Sequence, residues 1–247
     1  MSNEKPSTNR GMRGIYLLPN LFTLAALFAG FFAIIAATKQ QFESAAIAIF
    51  IAMILDALDG RVARLTHSQT DFGAEFDSLS DMVSFGLCPA LVLYYWSLVN
   101  LGKVGWLVSF LYTACTALRL ARFNLKDQNE EKRYFQGLST TAAAGFIAGF
   151  IWVCAHNGVS GSSEHMRIIT IILTAMVALL KVSTIRYRSF KDIDVRGRVP
   201  FMTILVAVLL LVLVCWAPAD VLFGIFGAYV ASGPIMWCFN RIRRNRH

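Results

Sequence analysis

From about residue 15 onward the chain alternates between apolar stretches of roughly 20 residues and short polar connections. That is the length of a helix crossing the hydrocarbon of a bilayer. About eight such spans are predicted, at roughly 15–38, 42–65, 73–100, 104–124, 138–157, 166–187, 199–217 and 220–240. The third contains Pro89, which removes a helical donor, so a kink or break is expected there. The longest polar connection, Lys126 to Gln136, is too short for a soluble domain. The expected fold class is an all-α integral membrane protein, a bundle of about eight transmembrane helices. One membrane-embedded domain is expected over 1–247, with a cytoplasmic tail at 1–14, a core at about 15–187 and two extra C-terminal helices at about 199–240.

Composition sharpens this picture. The chain is 56% hydrophobic and 15% charged, against about 25% charged in a soluble domain, and its mean hydropathy is +0.56. The net charge of +8 invites a nucleic-acid reading, but its distribution argues for topology instead. With both termini in the cytoplasm, every Lys and Arg except Lys39, Lys103 and Arg167 falls on the inner side. Lys/Arg bias of this kind orients membrane proteins. The expected location is the inner membrane of the cell, with anionic lipid headgroups as partners of the basic fringes and no nucleic acid. The first span, about 24 residues, is longer than the 7–15-residue apolar region of a signal peptide. Cys88, Cys115, Cys154, Cys215 and Cys238 sit in separate apolar spans and read as small packing residues. Gly145 and Gly149 form a GxxxG in the fifth span, which permits close helix approach within the chain or between copies.

The chemistry lies in "DALDGRVARLTHSQTDFGAEFDSLSD", residues 56–81, between the second and third spans. An acid at bilayer depth costs a few kcal/mol on insertion scales, so Asp56, Asp59, Asp77 and Asp81 call for a reason. The polar "THSQTD" makes a turn centred near position 68. Asp56 and Asp81 are equally far from that centre, and Asp59 and Asp77 nearly so, which in an antiparallel hairpin means equal depth. Asp56 and Asp59 are i,i+3 and Asp77 and Asp81 are i,i+4, so each pair shares a helix face. Gly60, Ala63, Arg64 and Gly73 follow the same stripes and leave a slot beside the acids. Close carboxylates repel unless a cation neutralises them. All-oxygen ligands without His or Cys suit Mg²⁺, Mn²⁺ or Ca²⁺. Four acids are enough for two divalent ions about 3.5–4 Å apart, a clamp suited to displacement at phosphorus. Arg64 on the same stripe can bind a phosphate oxygen. The competing readings are a cation or proton pathway and salt bridges to Arg61 and Arg64. A transporter would want acids near mid-bilayer on several helices, whereas most acids outside the hairpin lie in the connections.

The stretch Asp56, Asp59, Gly60, Ala63, Arg64, Gly73, Asp77, Asp81 reads D-x2-D-G-x2-A-R-x8-G-x3-D-x3-D. It resembles the signature of the CDP-alcohol phosphatidyltransferases at every fixed position. The resemblance implies an enzyme that displaces CMP from a CDP-linked lipid with an alcohol. It implies that Asp56, Asp59 and Asp77 hold a pair of divalent cations, Mg²⁺ or Mn²⁺, and that Asp81 contacts metal and accepts the proton of the attacking hydroxyl. Gly60, Arg64, Thr70 and Gly73 would contact the CDP-lipid. "PNLFT" is similar to the family's N-x-x-T entry to the first helix, making Asn20 and Thr23 further candidate ligands; otherwise Asn20 reads as a helix cap after Pro19. A homodimer is the family expectation.

"ALRLARFN", residues 117–124, resembles the R-x-x-R-F-N segment of the phosphatidylserine synthases in that family. The resemblance implies CDP-diacylglycerol and L-serine as substrates, with CMP and phosphatidylserine as products. A serine pocket needs a cation for the carboxylate, and an Arg fork supplies one, so Arg119, Arg122 and Asn124 are the candidates. The competing reading of the arginines is as positive-inside anchors. "YFQGLSTTAAAG" is similar to the subfamily's F-x-G-L-P-x-P-A, with Ser139 and Thr141 where prolines are expected; Ser139 can instead cap the incoming helix. The alternative acceptors are glycerol 3-phosphate and an inositol phosphate.

Overall fold

Helices form where the apolar stretches run. The computed structural model describes residues 17–66, 68–125, 134–188 and 201–244. The expected tail at 1–14 and the basic residues Lys126, Lys132, Arg133, Lys191, Arg196 and Arg198 lie outside them. Eight helical segments follow one another: α1 (Leu17–Thr38), α2 (Phe42–Leu65), α3 (Asp71–Leu101), α4 (Lys103–Asn124), α5 (Thr140–His156), α6 (Glu164–Val182), α7 (Phe201–Trp216) and α8 (Pro218–Arg244). Among the described residues, five helices are long and apolar enough to cross a membrane, namely α1, α3, α4, α6 and α8. α2 has 24 residues but carries Asp56, Asp59, Arg61 and Arg64 in its C-terminal half; α5 and α7 are shorter apolar helices.

The expected break at Pro89 is replaced by a change of helical pitch. α3 stays helical from end to end, with π-helical stretches at Met82–Leu87 and Tyr94–Leu98 flanking the α-helical Cys88–Leu93. Pro89 has no N–H to offer the Phe85 carbonyl one turn back. The buried Tyr112 hydroxyl donates to that carbonyl at 3.3 Å.

α5 is the centre of the bundle. Every residue from Ala142 to Trp152 is buried, as expected of a helix apolar on all sides. Its alanines and glycines let α2 and α8 approach closely. The GxxxG is used here: a Cβ on Gly149 would lie 2.9 Å from the Phe223 Cα, and one on Gly145 2.9 Å from the Phe226 ring. Small residues serve close helix contact in a membrane, and in this chain the contact they serve is with α8. Ser139 caps α5 as expected, its hydroxyl accepting from the Ala142 N–H at 3.1 Å. All five cysteines are free, and Cys88, Cys115 and Cys154 pack in the interior.

Two corrections concern the connections. The fold is not wholly helical: β1 (Tyr134–Gln136) and β2 (Arg186–Arg188) form an antiparallel pair with Phe135 opposite Tyr187. The sixth span therefore ends at Val182 rather than near residue 187. β-branched Val182, Thr184 and Ile185 favour extended backbone, and the Gly137 N–H donates to the Ile185 carbonyl at 2.8 Å. The ribbon pins α8, because the Tyr187 hydroxyl donates to the Val230 carbonyl at 3.2 Å. Burial, with Tyr229 beside it, pushes the Tyr187 phenol up to about 12, so it remains a donor.

Gly149→Leu would drive a side chain into the α8 backbone. Overpacking of this kind costs about 1–3 kcal/mol, so a lower melting temperature in detergent is expected. A variant melting like the wild type would mean that α8 is not seated on this face.

Candidate active site

The site begins at the α2–α3 turn. α2 ends with the Thr66 N–H bonded to the Val62 carbonyl, and the Ser68 N–H returns to the Ala63 carbonyl at 3.1 Å. Thr70 then caps α3, its hydroxyl accepting from the Gly73 N–H at 3.0 Å. Asp71 in the first turn complements the helix dipole. Two helices leaving one tight turn bring their aspartates together. One carboxylate oxygen each from Asp56, Asp59 and Asp77 lie within 4.8 Å of one another. The Asp56 carboxyl is also within hydrogen-bonding reach of both Asp77 and Asp81. The depth matching of Asp56 with Asp81 is therefore seen in space.

α1 supports this cluster from the side. Thr23 is buried, and its hydroxyl donates to Asp59 Oδ2 at 2.6 Å. Ser80 and Ser84, on the same face of α3 as Asp77 and Asp81, donate to the Thr23 and Ala26 carbonyls, both at 3.2 Å. Gly30 makes the approach possible, since a Cβ there would meet Ser84 Oγ at 2.8 Å. Ser80 and Ser84 were not singled out from the sequence, although their spacing from Asp77 places them on its stripe.

The donor set can be tested against a divalent cation. Asp77 Oδ1 is buried and has no hydrogen-bond partner among the described residues. The Asp56 and Asp59 carboxylates converge with it, and carboxylate oxygens are the ligands that hard cations take. Among the described residues, no histidine or cysteine joins the group. The residues fit a divalent metal of the magnesium or manganese kind.

Beside the acids opens a cleft of about 410 Å³ whose lining includes Asn20, Thr23, Gly60, Arg64, Thr70 and Gly73 together with Asp59 and Asp77. All six residues expected to meet the CDP-lipid thus share one cavity. Their local duties differ. Thr23 orients Asp59, and Thr70 is spent as a helix cap. Asn20 lies within α1 rather than capping it, with its Oδ1 facing Gly73: a Cβ on Gly73 would come within 3.3 Å of it. Gly73 keeps this passage open. Arg64 is exposed and close enough to Asp59 to interact electrostatically. Ser68 and Gln69, which also line the cleft, had been read only as turn residues.

Arg119, Arg122 and Asn124 are held by separate partners. Arg119 Nε donates to the Leu138 carbonyl at 2.6 Å, and its guanidinium lies in the field of both Asp81 and Tyr229 of α8. Arg122 is exposed and donates to Gln136 Oε1. Asn124 is exposed and bonded to Ser78, Nδ2 to Oγ at 3.2 Å. Of the three, Arg119 is the one tied electrostatically to the acid cluster. Tyr229 has no counterpart among the sequence-derived candidates, because nothing in its local pattern marks it.

The comparisons with known proteins agree with one another. The profile of the family described as CDP-alcohol phosphatidyltransferase matches residues 16–176. A Helicobacter pylori protein named CDP-diacylglycerol–serine O-phosphatidyltransferase is 36% identical over 230 residues, covering 93% of this chain and 94% of that protein. A Mycobacterium tuberculosis protein of the same name is 44% identical over 149 residues, 58% of this chain and 52% of its own. One from Methanocaldococcus jannaschii is 36% identical over 144 residues, 58% and 63% of the two chains. The matched region runs from α1 into α6 and contains the whole acid cluster and its cleft. With the fold, the eight-position motif and these relatives in agreement, the chain belongs to the CDP-alcohol phosphatidyltransferase family.

Proposed function

We propose that this protein transfers the phosphatidyl group of CDP-diacylglycerol to the hydroxyl of L-serine, giving phosphatidylserine and CMP. The observation that carries the reading is the convergence of Asp56, Asp59 and Asp77 within 4.8 Å, beside a cleft lined by the remaining motif residues. The serine acceptor is supported by the names of relatives aligned along nearly the full length. Arg119, a half-buried cation in the field of Asp81, suits the carboxylate of an amino-acid acceptor.

Asp56, Asp59 and Asp77 would hold a pair of divalent cations, with Asp81 in contact with metal. When bound, such ions offset the charge of the diphosphate and of the departing nucleotide. Arg64, Gly60 and Gly73 receive the CDP portion in the cleft, Arg64 at a phosphate oxygen and the glycines by leaving room. Asp81 accepts the proton of the serine hydroxyl, whose oxygen bonds to the lipid-bearing phosphorus. The bond from that phosphorus to CMP breaks, and CMP leaves with the electron pair. An alcohol is a poor nucleophile near neutral pH, so the proton acceptor is needed.

The same reading sets the protein in its membrane. The eight helices form one multi-pass domain in the inner membrane, with both termini and the α2–α3 turn on the cytoplasmic side. The Lys/Arg bias supports this. Acyl chains then remain in lipid while serine arrives from water. The homodimer belongs to this reading too, on a face other than the glycine face of α5, which α8 covers.

Purified protein given CDP-diacylglycerol with each alcohol in turn should release CMP with L-serine. Release with glycerol 3-phosphate or an inositol phosphate and none with serine would remove the serine assignment. Asp81→Asn should cut kcat by about 10²–10⁴-fold, the contribution of a general base, while keeping CDP-lipid binding. Asp56→Asn should lose metal and nucleotide binding together. Wild-type turnover in either would contradict the assigned roles. Thr23→Val removes the hydrogen bond that orients Asp59, and loss of such a partner weakens metal affinity by about 10–100-fold. Mn²⁺ titration followed by electron paramagnetic resonance measures this, and an unchanged affinity would leave Thr23 without that role.

A further inference from the structure

Lys181 takes no part in the chemistry described so far. It stands one residue before the end of α6 and is 1% exposed. Its Nζ donates to Thr116 Oγ1 at 2.6 Å and lies 3.1 Å from the centroid of the Tyr112 ring. Among the described residues it has no carboxylate partner; the ionisable side chains that act on it are Cys115 and Arg119. Burying a cationic group without a carboxylate is unfavourable. A position concerned with packing alone would be better served by Met or Leu.

The two residues that hold Lys181 reach directly to the segment behind Asp81. Tyr112 carries the hydroxyl that donates to the Phe85 carbonyl. Thr116 packs on the same turn, since a Cβ on Gly86 would meet its Cγ2 at 3.0 Å. Phe85 and Gly86 belong to the π-helical stretch Met82–Leu87, which begins at the residue after Asp81. Such a stretch is an irregular piece of helix that needs outside support. The Lys181 amine packs on the face of the Tyr112 ring, whose hydroxyl donates to Phe85. The same end of α6 also anchors the other side of the site. The Leu138 N–H donates to the Leu180 carbonyl at 3.0 Å, and the Leu138 carbonyl accepts from Arg119.

We infer that Lys181 is a positioning residue. Acting through Tyr112 and Thr116, it holds the π-helical turn of α3 so that the Asp81 carboxyl is aimed at the acceptor hydroxyl. The inference rests on the role given to Asp81 above. It adds to that role a support from α6, a helix that supplies none of the four acids.

The test compares Lys181→Met and Tyr112→Phe with the wild type in the full-length chain, reconstituted in lipid nanodiscs. The acceptor is whichever alcohol the wild type uses. Replacing a buried charge by an apolar side chain of similar length is often neutral or stabilising, so Lys181→Met should melt no lower than the wild type. Its kcat should fall by about 10–100-fold, the scale of a misplaced reacting group, with the KM for CDP-diacylglycerol unchanged. The double variant should lose no more than the worse single one, as expected of residues acting through one contact. Hydrogen exchange of the amides at 82–88 should be faster in both variants. If Lys181→Met does not fold, Thr116→Val, which removes the acceptor of the Lys181 hydrogen bond, takes its place beside Tyr112→Phe with the same expected results. Unchanged exchange over 82–88, or a raised KM with unchanged kcat, would overturn the inference. A wild type that releases no CMP with any alcohol would instead sink the proposed reaction, and the exchange measurement would still judge the brace.

Discussion

Carboxylates gathered at the end of a helical hairpin repel one another, and the surrounding structure exists to hold them there. At 4.8 Å two unit negative charges repel by about 3 kcal/mol at an effective dielectric near 20, and three such pairs act among Asp56, Asp59 and Asp77. A bound divalent cation turns the repulsion into ligation. Without one, the turn, the helix packing and hydrogen bonds such as that from Thr23 to Asp59 keep the oxygens converged. The short turn sets the depth at which the two helices meet. Thr23 holds Asp59, and Ser80 and Ser84 tie α3 to the α1 backbone. Each of these bonds lies in a protein interior, where an unmade partner is costly.

The rest of the bundle follows from serving two phases at once. The acid cluster sits where α2 and α3 leave their turn, while the lipid-facing flanks of α1 and α4 carry large exposed apolar side chains such as Phe28, Phe31, Trp106 and Phe110. α5, built of small residues, lets α2 and α8 close around it. α8 lies beyond the region matched by the family profile, yet it brings Tyr229 into the field of Arg119. The C-terminal pair of helices is therefore joined to the site through side chains as well as by packing.

Much of this was legible in the chain because membrane helices announce themselves locally. Apolar length marks the helices, i,i+3 and i,i+4 spacing marks shared faces, and distance from a turn marks depth. Those rules brought Asp56, Asp59, Asp77 and Asp81 together, and with them the glycine slot. Other features were read for what they permit rather than for what they meet. Gly145 and Gly149 announced a close contact without naming Phe223 and Phe226 as its other side. Pro89 announced a lost hydrogen bond but not the π-helical stretches that flank it. Thr70 and Thr23 were expected as ligands of the CDP-lipid, and in the structure they bond the Gly73 amide and the Asp59 carboxylate. The β1–β2 ribbon went unread because three residues per strand fall below any periodic signal.

By itself, then, the sequence determined the membrane class, the helix order and the pairing of aspartates across the acidic hairpin, since each depends on neighbours within a few turns of one helix or across one short loop. Only the tertiary structure decided which groups support that hairpin. Thr23 lies 36 residues from Asp59, Tyr112 lies 27 from Phe85 and Lys181 lies 65 from Thr116. Hydrogen bonds between helices so far apart in the chain depend on how the bundle packs, and no local pattern encodes their partners.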